Sequence, residues 1–427
     1  MSAKRIVILG GGFAGIAVAQ RLERRLRPDE AEIVLISREN FSLFTPMLPE
    51  VASGALDVRQ VATPVRSQLE RTRFILAEFT ALDLVKREVA FTHVLSGEED
   101  RLTYDELVLG LGSSISTFGL PGAAEHAFPL KTLEDAGTLR NRLMWLLERA
   151  DATADEAARK RLLTVVVVGG GFTGVETAGE LSDLLHSVAR FYPNIAAGAA
   201  NIVLVEGGAS LLPGLPEKMG VYATRILRRH GVDIRVGVPV TSASDRALDL
   251  ADGTSIATAT IVWSAGVKPS PAIAAAAIPH GKGGAVITAG DMSVPGFDGL
   301  WALGDAAAIP NESGGFYPPT AQHAIREGPV LADNIVARLR GQATRPFRFS
   351  SLGMMASVGG RRAVAQLPGD YVLTGFPAWF LWRGYYLSRL PGLDRKLRVA
   401  FEWALDLLFP RDISVLRVYL DGLRAEP

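Results

Sequence analysis

The chain of 427 residues contains no cysteine. That excludes disulfides, a redox-active cysteine pair, thiolate metal sites and iron–sulfur clusters held by the chain itself. It fits a reducing compartment. An excess of either charge is also missing, since 45 basic residues balance 45 acidic ones. Such a balance implies no nucleic-acid partner. The six histidines, His93, His126, His186, His230, His280 and His323, show no metal-ligand spacing. None pairs with another at the i+3 or i+4 interval that shares a helix face, so no metal is expected. Long apolar runs are absent too. Ile6-Val7-Ile8-Leu9 stops at glycines and is too short for a signal-peptide core. No uncharged stretch reaches the roughly 18 residues a spanning helix needs. If this chain meets a membrane, it lies on it. What is plentiful is ordinary globular material, 48% hydrophobic and 21% charged. The length suggests about two or three domains.

The chain echoes itself. Val7-Ile8-Leu9-Gly10-Gly11-Gly12-Phe13-Ala14-Gly15-Ile16 recurs as Val166-Val167-Val168-Gly169-Gly170-Gly171-Phe172-Thr173-Gly174-Val175. Each copy reads as strand, glycine turn and helix, and a second apolar strand follows, Ile33 to Ile36 or Ile202 to Val205. Two βαβ units predict an α/β protein with two doubly wound parallel sheets. In Gly10-x-Gly12-x-x-Gly15 and Gly169-x-Gly171-x-x-Gly174 the first glycine permits the tight turn. The second lets backbone approach a pyrophosphate, and the third lets helix pack on strand. The helix N-terminus then offers free N–H groups to the phosphates. One such match is weak, but two in the same strand–helix context point to two dinucleotides. The second copy ends its following strand in Glu206, an acid that accepts ribose hydroxyls and repels a 2′-phosphate, favouring NADH over NADPH. A solvated strand-end acid is the alternative. The first copy has Ser37-Arg38 there instead.

Short alternating strands are expected at Arg73 to Thr80 and Glu88 to Val94, and further strands at Leu107 to Gly112, Val232 to Val236, Ile261 to Trp263 and Leu300 to Asp305. The polar stretch Glu148 to Lys160 reads as a linker into the second domain. Past Arg345, aromatics and arginines mix in Phe376 to Leu390. An amphipathic helix with a wide apolar face is expected over Asp394 to Phe409. It fits a membrane surface or a packed partner equally well on pattern alone. The tail Asp421 to Pro427 reads as frayed.

Nearly the whole chain resembles the type II NADH dehydrogenases, single-chain NADH:quinone oxidoreductases of the two-dinucleotide-binding-domain flavoprotein superfamily. The resemblance is carried by both fingerprints, by Asn40 to Pro49, Leu107 to Gly112, Trp263-Ser264-Ala265-Gly266-Val267-Lys268-Pro269, Gly304-Asp305 and Pro319-Thr320-Ala321-Gln322-His323-Ala324. It implies two Rossmann-like domains, the second inserted in the first, plus a C-terminal membrane-associating segment. FAD is expected on residues 1–120 and 285–345, NADH on 121–284, and a membrane-surface or dimerisation region at 346–427. The FAD contacts implied are Gly10, Gly12, Phe13, Ala14, Gly15, Ser37, Arg38, Thr45, Pro46, Phe79, Gly112, Asp305, Ala321 and Gln322. Those for NADH are Gly169, Gly171, Thr173, Gly174, Glu176, Glu206, Ala265 and Gly266. Glu176 and Gln322 are the implied catalytic pair, Glu176 orienting NADH or relaying a proton and Gln322 bonding quinone or the flavin edge. For Glu176 the alternative is a first-turn acid favoured by the helix dipole. Arg326, followed by Glu327, stands where the family has its later glutamine, and a solvated charged face is the alternative for that pair.

The expected activity is hydride transfer from NADH to FAD, then two electrons to ubiquinone or menaquinone, without proton pumping. The expected place is the cytoplasmic face of the membrane, peripherally bound, with a homodimer possible. A related NADH-dependent reductase serving ferredoxin or rubredoxin is the alternative, and a non-catalytic nucleotide sensor a third. Sulfide:quinone and disulfide reductase chemistry fails for want of cysteine.

Overall fold

The computed structural model describes residues 3–196, 198–274, 276–281 and 283–415. The expected frayed tail, Asp421 to Pro427, lies outside them. The chain divides into two compact units. One holds Met1–Leu43, Ala62–Ser114 and Val267–Ser350, the other Phe44–Val61, Ile115–Gly266 and Ser351–Pro427.

In the first unit, among the described residues, strands run in the order Leu300–Ala302, Glu106–Leu109, Lys4–Leu9, Ala31–Ser37, Arg73–Asp83, Glu88–His93, Glu99–Thr103. The first five are parallel, and the remaining two pairings, Arg73–Asp83 with Glu88–His93 and Glu88–His93 with Glu99–Thr103, are antiparallel. The apolar run Ile6 to Leu9 is central because both sheet faces are covered, which leaves no polar position along it. Ile6 and Ile8 face a core shared with the helices Phe13–Arg25 and Ala321–Leu339. Val7 and Leu9 face a second core with Phe79, Phe91 and Ile273.

The second unit repeats the plan. Its strand order is Ala127–Pro129, Thr260–Trp263, Thr164–Val168, Asn201–Glu206, Val232–Val236, all parallel. Each glycine turn therefore leaves a strand flanked on one side by the strand after its helix, and on the other by a strand from later in the chain. That is the switch point at which open α/β sheets bind ligands.

Glu148 to Lys160 is not a linker. It closes the helix Leu133–Ala152 and begins the helix Glu156–Leu162, inside the second unit. The same unit carries an antiparallel sheet, Met354–Ser357, Ala363–Leu367 and Tyr371–Gly375, that periodicity did not announce. Helices Phe376–Arg389 and Leu393–Asp406 follow it.

Candidate functional site

The two glycine turns have nearly one geometry. Gly10 and Gly169 sit at φ +105° and +106°, a region L side chains avoid. Gly12 and Gly171 are extended, at φ −80° and −73° with ψ −168° in both. A Cβ on Gly15 would lie 1.9 Å from the Gly10 carbonyl oxygen, and one on Gly174 would lie 1.7 Å from that of Gly169. A Cβ on Gly12 or Gly171 would meet nothing within 4 Å. Neither helix has a side-chain N-cap. Free N–H groups, an unfilled approach at the middle glycine and a forced close approach at the third are what a pyrophosphate needs. The residues present fit two dinucleotides.

The turns differ in the residue beside them. Ser37 borders Gly11 in the first, and Glu206 borders Gly170 in the second. The Glu206 carboxylate accepts from the Gly170 N–H at 2.5 Å and the Gly208 N–H at 2.6 Å. It is thus fixed at the turn rather than loose in solvent. Ser37 is half-buried; Arg38 is exposed and 3.4 Å from Glu39.

Around the first turn the unit gathers Gly304-Asp305. A Cβ on Gly304 would touch Ala14 and Ala324, so this turn packs on the starts of both covering helices. The Ser113 hydroxyl donates to Asp305 at 2.5 Å. Glu327 is buried and accepts the Gly304 N–H at 2.7 Å. Burial raises its pKa to about 7, the Gly304 N–H opposes this and Asp305 adds to it. Gln322 follows Ala321 in the first turn of a helix capped by Thr320. Arg326 donates to the Gln322 carbonyl at 2.9 Å and stacks 4.5 Å from the Phe349 ring centre. Arg326 and Glu327 are therefore no solvated charge pair: one is half-buried over an aromatic ring, the other holds a turn. Phe79 packs in the core, which leaves its backbone, not its ring, for any cofactor. Gly112 takes φ +67° with open space at its Cβ position.

The second unit holds Thr45 and Pro46 in a short 3-10 turn, Thr45–Met47. Thr173 is exposed, and Ala265 lies against Gly169. Gly266 faces the Phe118 ring, which leaves no room for a side chain there. Glu176 is 6% exposed. Its Oε1 accepts from the Ser357 N–H at 3.1 Å and the Trp382 indole N–H at 3.0 Å. Burial raises it to about 8, against the pull of those two donors. This carboxylate is held by groups of the C-terminal segment.

The description "pyridine nucleotide-disulphide oxidoreductase" matches residues 4–328, and "NDH2 C-terminal domain" matches residues 352–412. A probable NADH dehydrogenase of Dictyostelium discoideum is 31% identical over 96% of this chain and 91% of its own length. A type II NADH:quinone oxidoreductase of Mycobacterium tuberculosis is 32% identical over 95% of this chain and 89% of its own. The chain belongs to the type II NADH:quinone oxidoreductases. The fold of this family member also matches the solved NDH2 from Plasmodium falciparum in complex with NADH, at TM-score 0.89 and 19% identity over 96% of this chain and 99% of that one. A type II oxidoreductase without cysteine uses no disulfide, whatever the superfamily's name.

Sequence reasoning missed several buried groups of this oxidoreductase. Glu50 and Glu180 are nearly inaccessible, and Arg383 and Arg411 join them. The available signals were Glu50 inside the apolar run Met47 to Ala52, and Glu176 and Glu180 four apart on one helix.

Proposed function

We propose that this chain is a peripheral, FAD-dependent NADH:quinone oxidoreductase, with FAD on the Gly10 turn and NADH on the Gly169 turn. The observation that carries the assignment is the pair of matching turns with Ser37 beside one and Glu206 beside the other. Bound flavin supplies a group that takes a hydride and gives two electrons to quinone. The chain supplies position and electrostatics. Gly12 and Gly171 would admit the pyrophosphates, and the uncapped N-termini of the helices Phe13–Arg25 and Phe172–Val188 would supply N–H groups to them. Asp305, fixed by Ser113, is suited to accept ribityl hydroxyls. Glu206, fixed by two backbone N–H groups, rejects a 2′-phosphate. Burial favours the protonated form of Glu176, which can give its proton to the quinone as that is reduced. Gln322 is the amide assigned to the quinone or flavin edge, and Arg326 fixes its helical turn.

The membrane reading rests on the helix Leu393–Asp406. Val399 and Trp403 point inward, while Leu397 and Phe401 are 62% and 65% exposed, and Leu393 and Leu405 extend that row. Phe376 and Phe380 add a second exposed apolar row on Phe376–Arg389. An apolar face of this kind suits the headgroup plane of the cytoplasmic leaflet. No helix of the described residues is long and apolar enough to cross a membrane. The domain reading is 1–120 with 285–345 for FAD, 121–284 for NADH and 346–427 for attachment. The test is acceptor choice: the FAD-loaded chain on anionic vesicles should reduce a quinone faster than a ferredoxin, and NADH should outrun NADPH. Faster ferredoxin reduction would favour the soluble-carrier reading, and a dimer in solution that hides the apolar rows would remove the membrane.

A further inference from the structure

Among the described residues of the second unit, three glutamates are buried, Glu50, Glu176 and Glu180, at 2%, 6% and 8% exposure. The proposed reaction gives only Glu176 a task. That reaction is NADH + H⁺ + quinone → NAD⁺ + quinol. The hydride brings both electrons and one hydrogen, and the second hydrogen is a solvent proton. Glu176 is 6% exposed, and its Oε1 is held by the Ser357 N–H and the Trp382 indole N–H. A proton it releases has to be replaced through the protein.

Glu180 stands one turn along the same helix. Residues four apart on a helix have Cβ atoms about 5–6 Å apart, within reach of two carboxyl groups and one water. Glu180 also lines a cavity of about 720 Å³, with Asp183, His230, Arg383, Asp406 and Arg411. Its Oε2 accepts from Arg411 at 2.9 Å and from the Ser53 hydroxyl at 3.0 Å. The same hydroxyl reaches the main-chain carbonyl of Glu50 at 3.0 Å, which brings the Glu50 residue alongside Glu180. Glu50 Oε1 accepts the Trp403 indole N–H at 3.1 Å and lies 3.8 Å from Arg383. Glu50 Oε2, fully buried, has no partner among the described residues. A neutral carboxyl tolerates that and a carboxylate does not. Burial, then Glu180, pushes Glu50 up to about 8, and burial raises Glu180 against the pull of Arg411.

We infer that Glu180, exchanging protons with Glu50, loads Glu176 with protons drawn from this cavity. Arg411, paired with Asp406 at 3.2 Å as well as with Glu180, positions the loading carboxyl. The inference rests on the quinone-reducing reading.

The test uses Glu180→Gln and Glu50→Gln in the full FAD-loaded chain. NADH should bleach the flavin of both variants at the wild-type rate. Quinol formation should fall by about 100-fold, the scale of a lost general acid, with an enlarged solvent isotope effect. Azide or formate, small enough to enter the cavity, should restore the rate of Glu180→Gln and leave wild type unchanged. The infrared carbonyl band of a protonated carboxyl should be lost in resting Glu50→Gln, without turnover. Quinol formation at the wild-type rate in Glu180→Gln overturns the relay. So does a loss that slows flavin bleaching equally and that weak acids do not relieve, since a packing defect gives that. If Glu180→Gln folds poorly, Ser53→Ala removes one hydroxyl and should give a milder loss of quinol formation alone; an unchanged rate there also overturns the relay. A wild type that NADH bleaches but no quinone reoxidises defeats the proposed function instead, and is distinguishable on that ground.

Discussion

Gly12 and Gly15 lie three residues apart, yet alanine at the two should act through different physics. At Gly12 the backbone is extended and a Cβ meets no protein atom. Alanine is a poorer N-cap than glycine, at a cost of about 0.5–1 kcal/mol. The unfolded chain loses freedom with alanine, which returns about 0.4–1 kcal/mol. The net effect on the FAD-free protein is close to zero. The new methyl stands where the pyrophosphate must come, so FAD affinity should fall by about 100-fold, roughly 2.7 kcal/mol. At Gly15 the Cβ would sit 1.9 Å from the Gly10 carbonyl oxygen, a backbone atom that cannot swing aside. Overpacking of this kind costs about 1–3 kcal/mol or more, with or without cofactor. Melting of both variants after flavin removal, and FAD titration of each, separates the effects. Gly12→Ala with wild-type FAD affinity, or Gly15→Ala with wild-type melting, would refute the reasoning. Gly171→Ala should raise the NADH KM and leave FAD in place.

Glu206→Gln keeps its size and loses its charge, so NADPH should gain on NADH in kcat/KM by about tenfold; an unchanged ratio removes Glu206 from donor selection. Leu397→Asp with Phe401→Asp replaces two exposed apolar groups, each contributing roughly 1.5–3 kcal/mol when fully buried, so co-sedimentation with vesicles should fall sharply while flavin content holds. Retained binding would move the attachment elsewhere. Glu176 has a folded pKa of about 8 against an ordinary 4.5, so folding favours its protonated form. Its stabilising share is whole below the ordinary value and is lost as pH rises toward about 8. Glu176→Gln cannot ionise, so its melting temperature relative to wild type should climb across that window, and parallel curves would contradict the burial.

The parallel sheets were legible because buried strands on both faces read as unbroken apolar runs, Ile6 to Leu9 and Val165 to Val168, each closed by a glycine turn. The position of Glu206 was legible for the same reason, since it ends the strand that follows the second glycine turn and its helix. The sheet Met354 to Gly375 was not, since its strands are short and small-residue-rich and its register comes from tertiary pairing. The apolar face of Leu393–Asp406 was visible as one stripe, but its division into an inward edge at Val399 and Trp403 and an outward edge at Leu397 and Phe401 depends on what packs there. Glu50 and Glu180 escaped notice because a carboxylate's burial is a property of neighbours distant in sequence, Arg383, Trp403 and Arg411.

The central claim is that one turn holds FAD, the other NADH, and that electrons pass to a quinone. Anaerobic mixing of the FAD-loaded protein with NADH, followed by a short-chain quinone, tests it in one trace of flavin absorbance. The account predicts bleaching by NADH, much slower bleaching by NADPH, and full return of colour on adding quinone. Flavin that NADH leaves oxidised, or reduced flavin that quinone leaves colourless, would contradict it.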